Sequence, residues 1–234
     1  MHGLILAGGE GSRLAADGVR TPKALVEVAG QPQIVRLVDT MTRLGCGGIT
    51  CMVREGLPPV ATLLPAKPTI PVNSVTCLTP SSLHTLVAGL ATAPAGPVFC
   101  TMVDTVMPWR DWQRAFAAAE QRLSAGADAV LVVTPATDDD RPLYVGLDAT
   151  GQVRSIGDKR VEPATVTGGV YGFGEAARGL AADALGQGLE RMRAFLGLLV
   201  AGGRAVFAVQ VARVIDLDRA RDLADANAWL AARA

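Results

Sequence analysis

Histidine is nearly absent from this chain: His2 and His84 are its only two in 234 residues. A histidine-centred hydrolase is therefore not expected, and no Ser-His-Asp or Cys-His set is suggested. The four cysteines, Cys46, Cys51, Cys77 and Cys100, contain no Cys-x-x-Cys pair and mostly sit in apolar runs. Buried reduced thiols are expected rather than a zinc site or disulfides. Net charge is also lacking, because lysine plus arginine and aspartate plus glutamate both count 22. Without a basic surplus, a nucleic-acid partner is not expected. No apolar run approaches the roughly 18 residues that span a bilayer. The most apolar helical stretch, Met192 to Gly202, is too short and sits behind Arg191 and Arg193, so no membrane partner is expected. The N-terminus enters an apolar run without a charged leader or cleavage site, which predicts no signal peptide and a cytoplasmic address.

What the chain does have is apolar substance. Half its residues are hydrophobic and 19% charged, which excludes a disordered chain. Its length suits a single α/β domain over residues 1–234 with an ample core. Strand-like runs are expected at His2–Leu6, Ile49–Val53, Val75–Leu78, Val98–Val103, Ala129–Val133, Val166–Phe173 and Ala205–Val209. A hairpin is expected from Tyr144–Leu147 and Val153–Ile156 around Asp148-Ala149-Thr150-Gly151. Helical stretches alternate with them at Gln33–Leu44, Ser82–Ala91, Trp109–Leu123, from Glu175, from Leu189, and at Arg219–Arg233, with a short helix or turn at Pro58–Leu64. The alternation predicts a doubly wound, mostly parallel sheet. The tryptophans Trp109 and Trp112 read as core or lid anchors.

The most informative stretch is Leu6-Ala7-Gly8-Gly9-Glu10-Gly11-Ser12-Arg13, followed by Pro22-Lys23. A glycine-rich turn, an arginine and a lysine directly after a buried strand form a phosphate cradle: backbone N–H groups approach the anion and two cations offset its charge. It is not a P-loop, since Arg13-Leu14 stands where Gly-Lys is required, nor a dinucleotide fingerprint, since Leu14 replaces the third glycine.

Together with Thr21-Pro22-Lys23-Ala24-Leu25-Val26 and Ala29-Gly30-Gln31-Pro32, this stretch resembles the N-terminus of the sugar-phosphate nucleotidyltransferases. The resemblance implies a Rossmann-like nucleotidyltransferase fold and a reaction joining a nucleoside triphosphate to a sugar 1-phosphate or similar phosphorylated acceptor, with release of pyrophosphate. It implies a nucleotide-binding half at about 1–137 and an inserted acceptor-binding subregion at about 138–175. Leu6, Ala7, Gly8, Gly9, Gly11 and Ser12 would bind nucleotide. Arg13 would grip the β- and γ-phosphates and Lys23 the α-phosphate.

Further residues follow from the same resemblance. Asp104, which ends an apolar strand, and Asp216 would hold Mg2+, with Asp218 as the fallback because it also suits a helix N-cap. Lys159, in Gly157-Asp158-Lys159-Arg160, stands where the family has Glu-Lys-Pro and would contact the acceptor's phosphate. Thr167-Gly168-Gly169-Val170-Tyr171 stands for Asn-Ala-Gly-Ile-Tyr, with Gly169 against the acceptor and Thr167 in place of the asparagine. Ser82, in Pro80-Ser81-Ser82-Leu83-His84-Thr85, would supply a hydroxyl in the base-reading loop, with His84 a helix-surface or supporting residue. The implied partners are the triphosphate and a phosphorylated small molecule, with homo-oligomerisation left open. Two alternatives remain: a cytidylyl- or guanylyltransferase acting on a non-sugar acceptor, and an inactive nucleotide-sensing paralogue. With the last helix running to the end of the sequence, no appended β-helix or acyltransferase domain is expected.

Overall fold

The computed structural model describes residues 1–135 and 142–232. In chain order the elements are β1 (His2–Ala7), α1 (Ser12–Ala16), β2 (Glu27–Val28), β3 (Gln31–Pro32), α2 (Gln33–Leu44), β4 (Ile49–Val53), β5 (Val72–Thr76), α3 (Ser82–Thr92), β6 (Val98–Met102) and β7 (Thr105–Val106). There follow α4 (Trp109–Ser124), β8 (Ala129–Pro135), β9 (Tyr144–Leu147), β10 (Val153–Gly157), β11 (Thr165–Phe173), α5 (Glu175–Gly186), α6 (Met192–Ala201), β12 (Val206–Gln210), β13 (Ile215–Asp216) and α7 (Ala220–Ala231).

Strand β1 is central because it is apolar on both faces. Successive strand residues point to opposite sides. Leu4 and Leu6 accordingly enter one buried cluster with α3, α5 and α6, while Ile5 and Ala7 enter another with α2 and α4. Two buried faces require helices on both, and that is the doubly wound arrangement. Strand β1 runs parallel to β4 and β6, and β4 runs parallel to β5. Beyond β6 the sheet turns mixed: β11 is antiparallel to β6, β8 and β9, while β12 is parallel to β8. The expected hairpin is β9 and β10, antiparallel.

Two differences from the sequence reading are local. The third strand is Val72–Thr76 rather than Val75–Leu78. Its ladder ends where Cys77 N–H donates to the Val53 carbonyl, and Leu78 beyond it is 72% exposed. Strand β11 is bulged, its register on β8 shifting between Thr167 and Tyr171. Gly169 there has φ +70°, and a side chain on it would collide with Thr105 Oγ1. The 137/138 boundary between the two halves, and Arg233 of the last helix, lie outside the described residues.

A third, smaller cluster matters most for the site. Leu14 of α1, Val26, Val28 of β2, Val106 of β7, Ile215 of β13, Leu217 and Ala226 of α7 bury their side chains together. This cluster packs the glycine-rich loop's helix against the last segment of the chain.

Candidate active site

Parallel strands deliver their following loops to one edge. Val103 N–H donates to the Leu6 carbonyl at 3.0 Å, extending the β1–β6 ladder, so the glycine loop and Asp104 leave neighbouring strands side by side. Gly11 then adopts φ +64°, a left-handed conformation that a side chain resists, and α1 starts immediately after it. Buried Leu14 anchors that short helix. Lys23 opens a 3₁₀ turn, Lys23–Leu25, pinned by buried Ala24 and Val26.

Asp104 and Asp218 converge on Lys23. Its ammonium donates to Asp104 Oδ2 at 2.8 Å and to Asp218 Oδ1 at 2.7 Å. Arg13 Nη1 donates to the other oxygen of Asp218. The Lys23 side chain is only 9% exposed, against 34% for Asp218. Burial alone would lower the Lys23 pKa, but the charges and hydrogen bonds of Asp104 and Asp218 overcome it and hold the group well above its ordinary value.

The backbone explains why Asp218, not Asp216, reaches this point. β13 pairs antiparallel with β7, Asp216 opposite Thr105. Leu217, fully buried, donates its N–H to the Asp104 carbonyl at 3.0 Å. Asp218 N–H then closes back on the Asp216 carbonyl at 2.8 Å, a three-residue turn that aims the Asp218 carboxylate inward and leaves Asp216 exposed. The helix-cap reading of Asp218 is corrected at the same place. Asp222 makes the cap, its Oδ2 accepting from the N–H groups of Arg219 and Asp218.

Around this centre lies a cleft of about 520 Å³ lined by Arg13, Ser81, Ser82, Arg191, Arg193 and Asp218, among others. Ser82 Oγ accepts from Met192 N–H at 3.0 Å, and Leu83 N–H donates to the Glu190 carbonyl at 3.0 Å, so the start of α3 is stitched to the start of α6. His84 lies beside this junction, its Nδ1 2.8 Å from Ser81 Oγ. Lys159 is exposed and outside the Lys23 cluster, but its neighbour Asp158 pairs with Arg193 at 2.7 Å. Gly169 sits behind Thr105, the residue after Asp104.

Sequence reasoning missed Gln33, Arg191 and Arg193 as site residues. Gln33 is fully buried and its amide donates to the Thr105 carbonyl at 2.9 Å, fixing β7 beneath Asp104. The visible signal was a polar residue opening an otherwise apolar helix face. The two arginines were read only as charges bounding an apolar run.

The MobA-like NTP transferase domain matches residues 3–196. The chain belongs to that family. It is thus an NTP transferase, as the opening motif implied. No curated protein matches it. Among solved structures it is similar to a putative glucose-1-phosphate thymidylyltransferase from Bacillus anthracis, solved with sucrose, at 18% identity and a TM-score of 0.83, over 98% of this chain and 94% of that one. It is also similar to the inositol-1-phosphate CTP transferase from T. maritima, at 16% identity and a TM-score of 0.76, over 94% and 90% of the two chains. At these identities the likeness establishes the Rossmann-like fold that the NTP transferase shares with them. No helix among the described residues is long and apolar enough to cross a membrane.

Proposed function

We propose that this NTP transferase joins a nucleoside triphosphate to a phosphorylated small molecule, a sugar 1-phosphate or similar, and releases pyrophosphate. The observation that carries the reading is the convergence of Asp104, Asp218 and Arg13 around Lys23 at the carboxyl edge of the parallel strands. In the step, an oxygen of the acceptor's phosphate attacks the α-phosphorus in line, the bond to the β-phosphate's bridging oxygen breaks, and pyrophosphate leaves. A phosphate dianion is already nucleophilic, so no general base is needed, in keeping with a site that gathers charges rather than histidines.

The residues divide the work. Backbone from Leu6 to Ser12 follows the triphosphate, Arg13 grips its β- and γ-phosphates, and Lys23 faces charge building on the α-phosphate. Ser82 stands on the base side, with its hydroxyl partly committed to Met192. Lys159, Gly169 and the surrounding segment, about 138–175, serve the acceptor, joined by Arg193 through its bond to Asp158.

Two carboxylate oxygens already meet one cationic atom at 2.7–2.8 Å, so Asp104 and Asp218 fit a hard divalent cation. Mg2+ held by this pair would complete its shell with phosphate oxygens and water. Bound there, Mg2+ would neutralise charge on the α-phosphate region. Asp218 takes the role first given to Asp216. The four cysteines are free, three of them buried, in keeping with the reducing, cytoplasmic setting we propose.

A second reading is favoured by the inositol-1-phosphate CTP transferase likeness: cytidylyl transfer to a non-sugar acceptor. One experiment covers both. A matrix of the nucleoside triphosphates against phosphorylated sugars, cyclitols and amino alcohols is read out as pyrophosphate, with and without magnesium. Pyrophosphate release in no combination would overturn the proposal.

A further inference from the structure

Gln33 is fully buried beside Ile34, Leu37, Val38 and Met41 of the same helix. A primary amide shut away from water costs free energy unless its hydrogen bonds are met. Here they are met by two distant parts of the chain. The side chain leaves α2 and donates from Nε2 to the Thr105 carbonyl at 2.9 Å, while the main-chain N–H of Gln33 donates to the Val26 carbonyl at 2.9 Å. Val26 ends the Lys23–Leu25 turn, and Thr105 follows Asp104. One residue therefore holds the segment carrying Lys23 and the segment carrying Asp104, the partners of the 2.8 Å ion pair at the centre of the site. Thr105 also stands opposite Asp216 in the β7–β13 ladder, and the Asp104 carbonyl accepts from Leu217, so the strand that leads to Asp218 rests on the same support. Arg36, one turn along α2, donates from Nε to Gln33 Oε1 at 3.3 Å and so turns the amide's donor side toward Thr105.

We propose that Gln33 is a positioning residue for nucleotidyl transfer, holding the Lys23 ammonium and the Asp104 and Asp218 carboxylates at the spacing that the α-phosphate and a divalent cation require. This rests on the nucleotidyl-transfer reading above. Gln33 acts through Val26 and Thr105 rather than on substrate. In-line attack is sensitive to such support, since a shift of about 1 Å in a reacting group costs on the order of a hundredfold in rate. The amide is also shut off from solvent, so water is poorly placed to stand in for it.

The test compares wild type with Q33M, which keeps the bulk of the side chain and removes its donor and its acceptor. With the best substrate pair from the matrix, kcat is expected to fall about tenfold, the equivalent of one buried hydrogen bond. The magnesium concentration for half-maximal rate should rise severalfold. A merely structural role would lower the urea midpoint and leave both constants, per mole of folded protein, unchanged. A second readout needs no activity: limited acetylation of the full chain with acetic anhydride, followed by peptide mass spectrometry, with exposed Lys67 and Lys159 as internal references. Lys23, held by two carboxylates, should react slowly in wild type and severalfold faster in Q33M. Should Q33M not fold, Q33N, whose amide is one carbon short of Thr105, takes its place. Unchanged kcat and magnesium requirement in the folded variant would overturn the proposal, as would Lys23 labelling at the wild-type rate. A wild type that releases no pyrophosphate in any combination would overturn the reaction itself, and the labelling would then show by itself whether Gln33 supports the cluster.

Discussion

Lys23 Nζ and Asp218 Oδ1 lie 2.7 Å apart although 195 residues separate them in the chain. The same ammonium holds Asp104 at 2.8 Å, so one buried cation ties the glycine loop, the end of β6 and the segment before α7 together. Asp218 engages both Arg13 and Lys23, the cations proposed to face the triphosphate. On that proposal, triphosphate binding exchanges these carboxylate contacts for phosphate contacts.

Lys23→Met is expected to lower turnover by about 10²–10³-fold, the usual loss for one donor aimed at transition-state charge. Steady-state pyrophosphate release gives the rate, and circular dichroism checks that the fold persists. Wild-type turnover in a folded variant would remove Lys23 from the chemistry.

The two neighbouring aspartates should separate cleanly. D218N is expected to raise the magnesium concentration needed for half-maximal activity by more than tenfold, while D216N, altering an exposed side chain, stays within about threefold. Chelating divalent ions should abolish activity in every variant. Equal effects of the two substitutions would return Asp216 to the metal site.

The Lys23 cluster also sets a pH window. A lysine whose folded pKa lies above its unfolded value of 10.5 stabilises fully below that pH and progressively less as pH climbs toward the folded value. The stability gap between wild type and K23M should be constant from pH 7 to about 10 and change only above it. Urea unfolding across this range is the measurement, and a gap that closes below pH 9 would contradict the ion-paired lysine.

Away from the site, Arg178 of α5 closes the end of α3. Its guanidinium donates to the carbonyls of Leu90, Ala93, Pro94 and Gly96 while its side chain is 13% exposed. R178A should destabilise the fold by about 2–3 kcal/mol, as expected when several carbonyls lose a charged donor. The urea midpoint should fall with kcat unchanged, and an unshifted midpoint would show that water replaces the arginine.

The parallel strands and their helices were legible because each carries its own period: Gln33–Leu44 and Ile49–Val53 fall where the pattern put them. The two-residue strands β2, β3, β7 and β13 were not, since a pair of residues has no period to read. The candidate site divides the same way. Gly11, Arg13 and Lys23 stand close together in one short part of the sequence, residues 11–23. The choice between Asp216 and Asp218 depends on a turn closed by a single backbone hydrogen bond, and Arg193 enters only because α6 docks against α3. Both are tertiary facts with no local signature.

The small cluster that seats Leu14 against Leu217 and Ala226 has a consequence for folding. Lys23 and Asp218 stand 195 positions apart, so the lysine gains this counter-charge, and the loop its apolar seat, only when distant parts of the chain dock. On the proposed function, a nucleotide site assembled this way is an all-or-none product of long-range folding, and a local unfolding of the segment around Leu217 would disarm the cradle without touching its own motif.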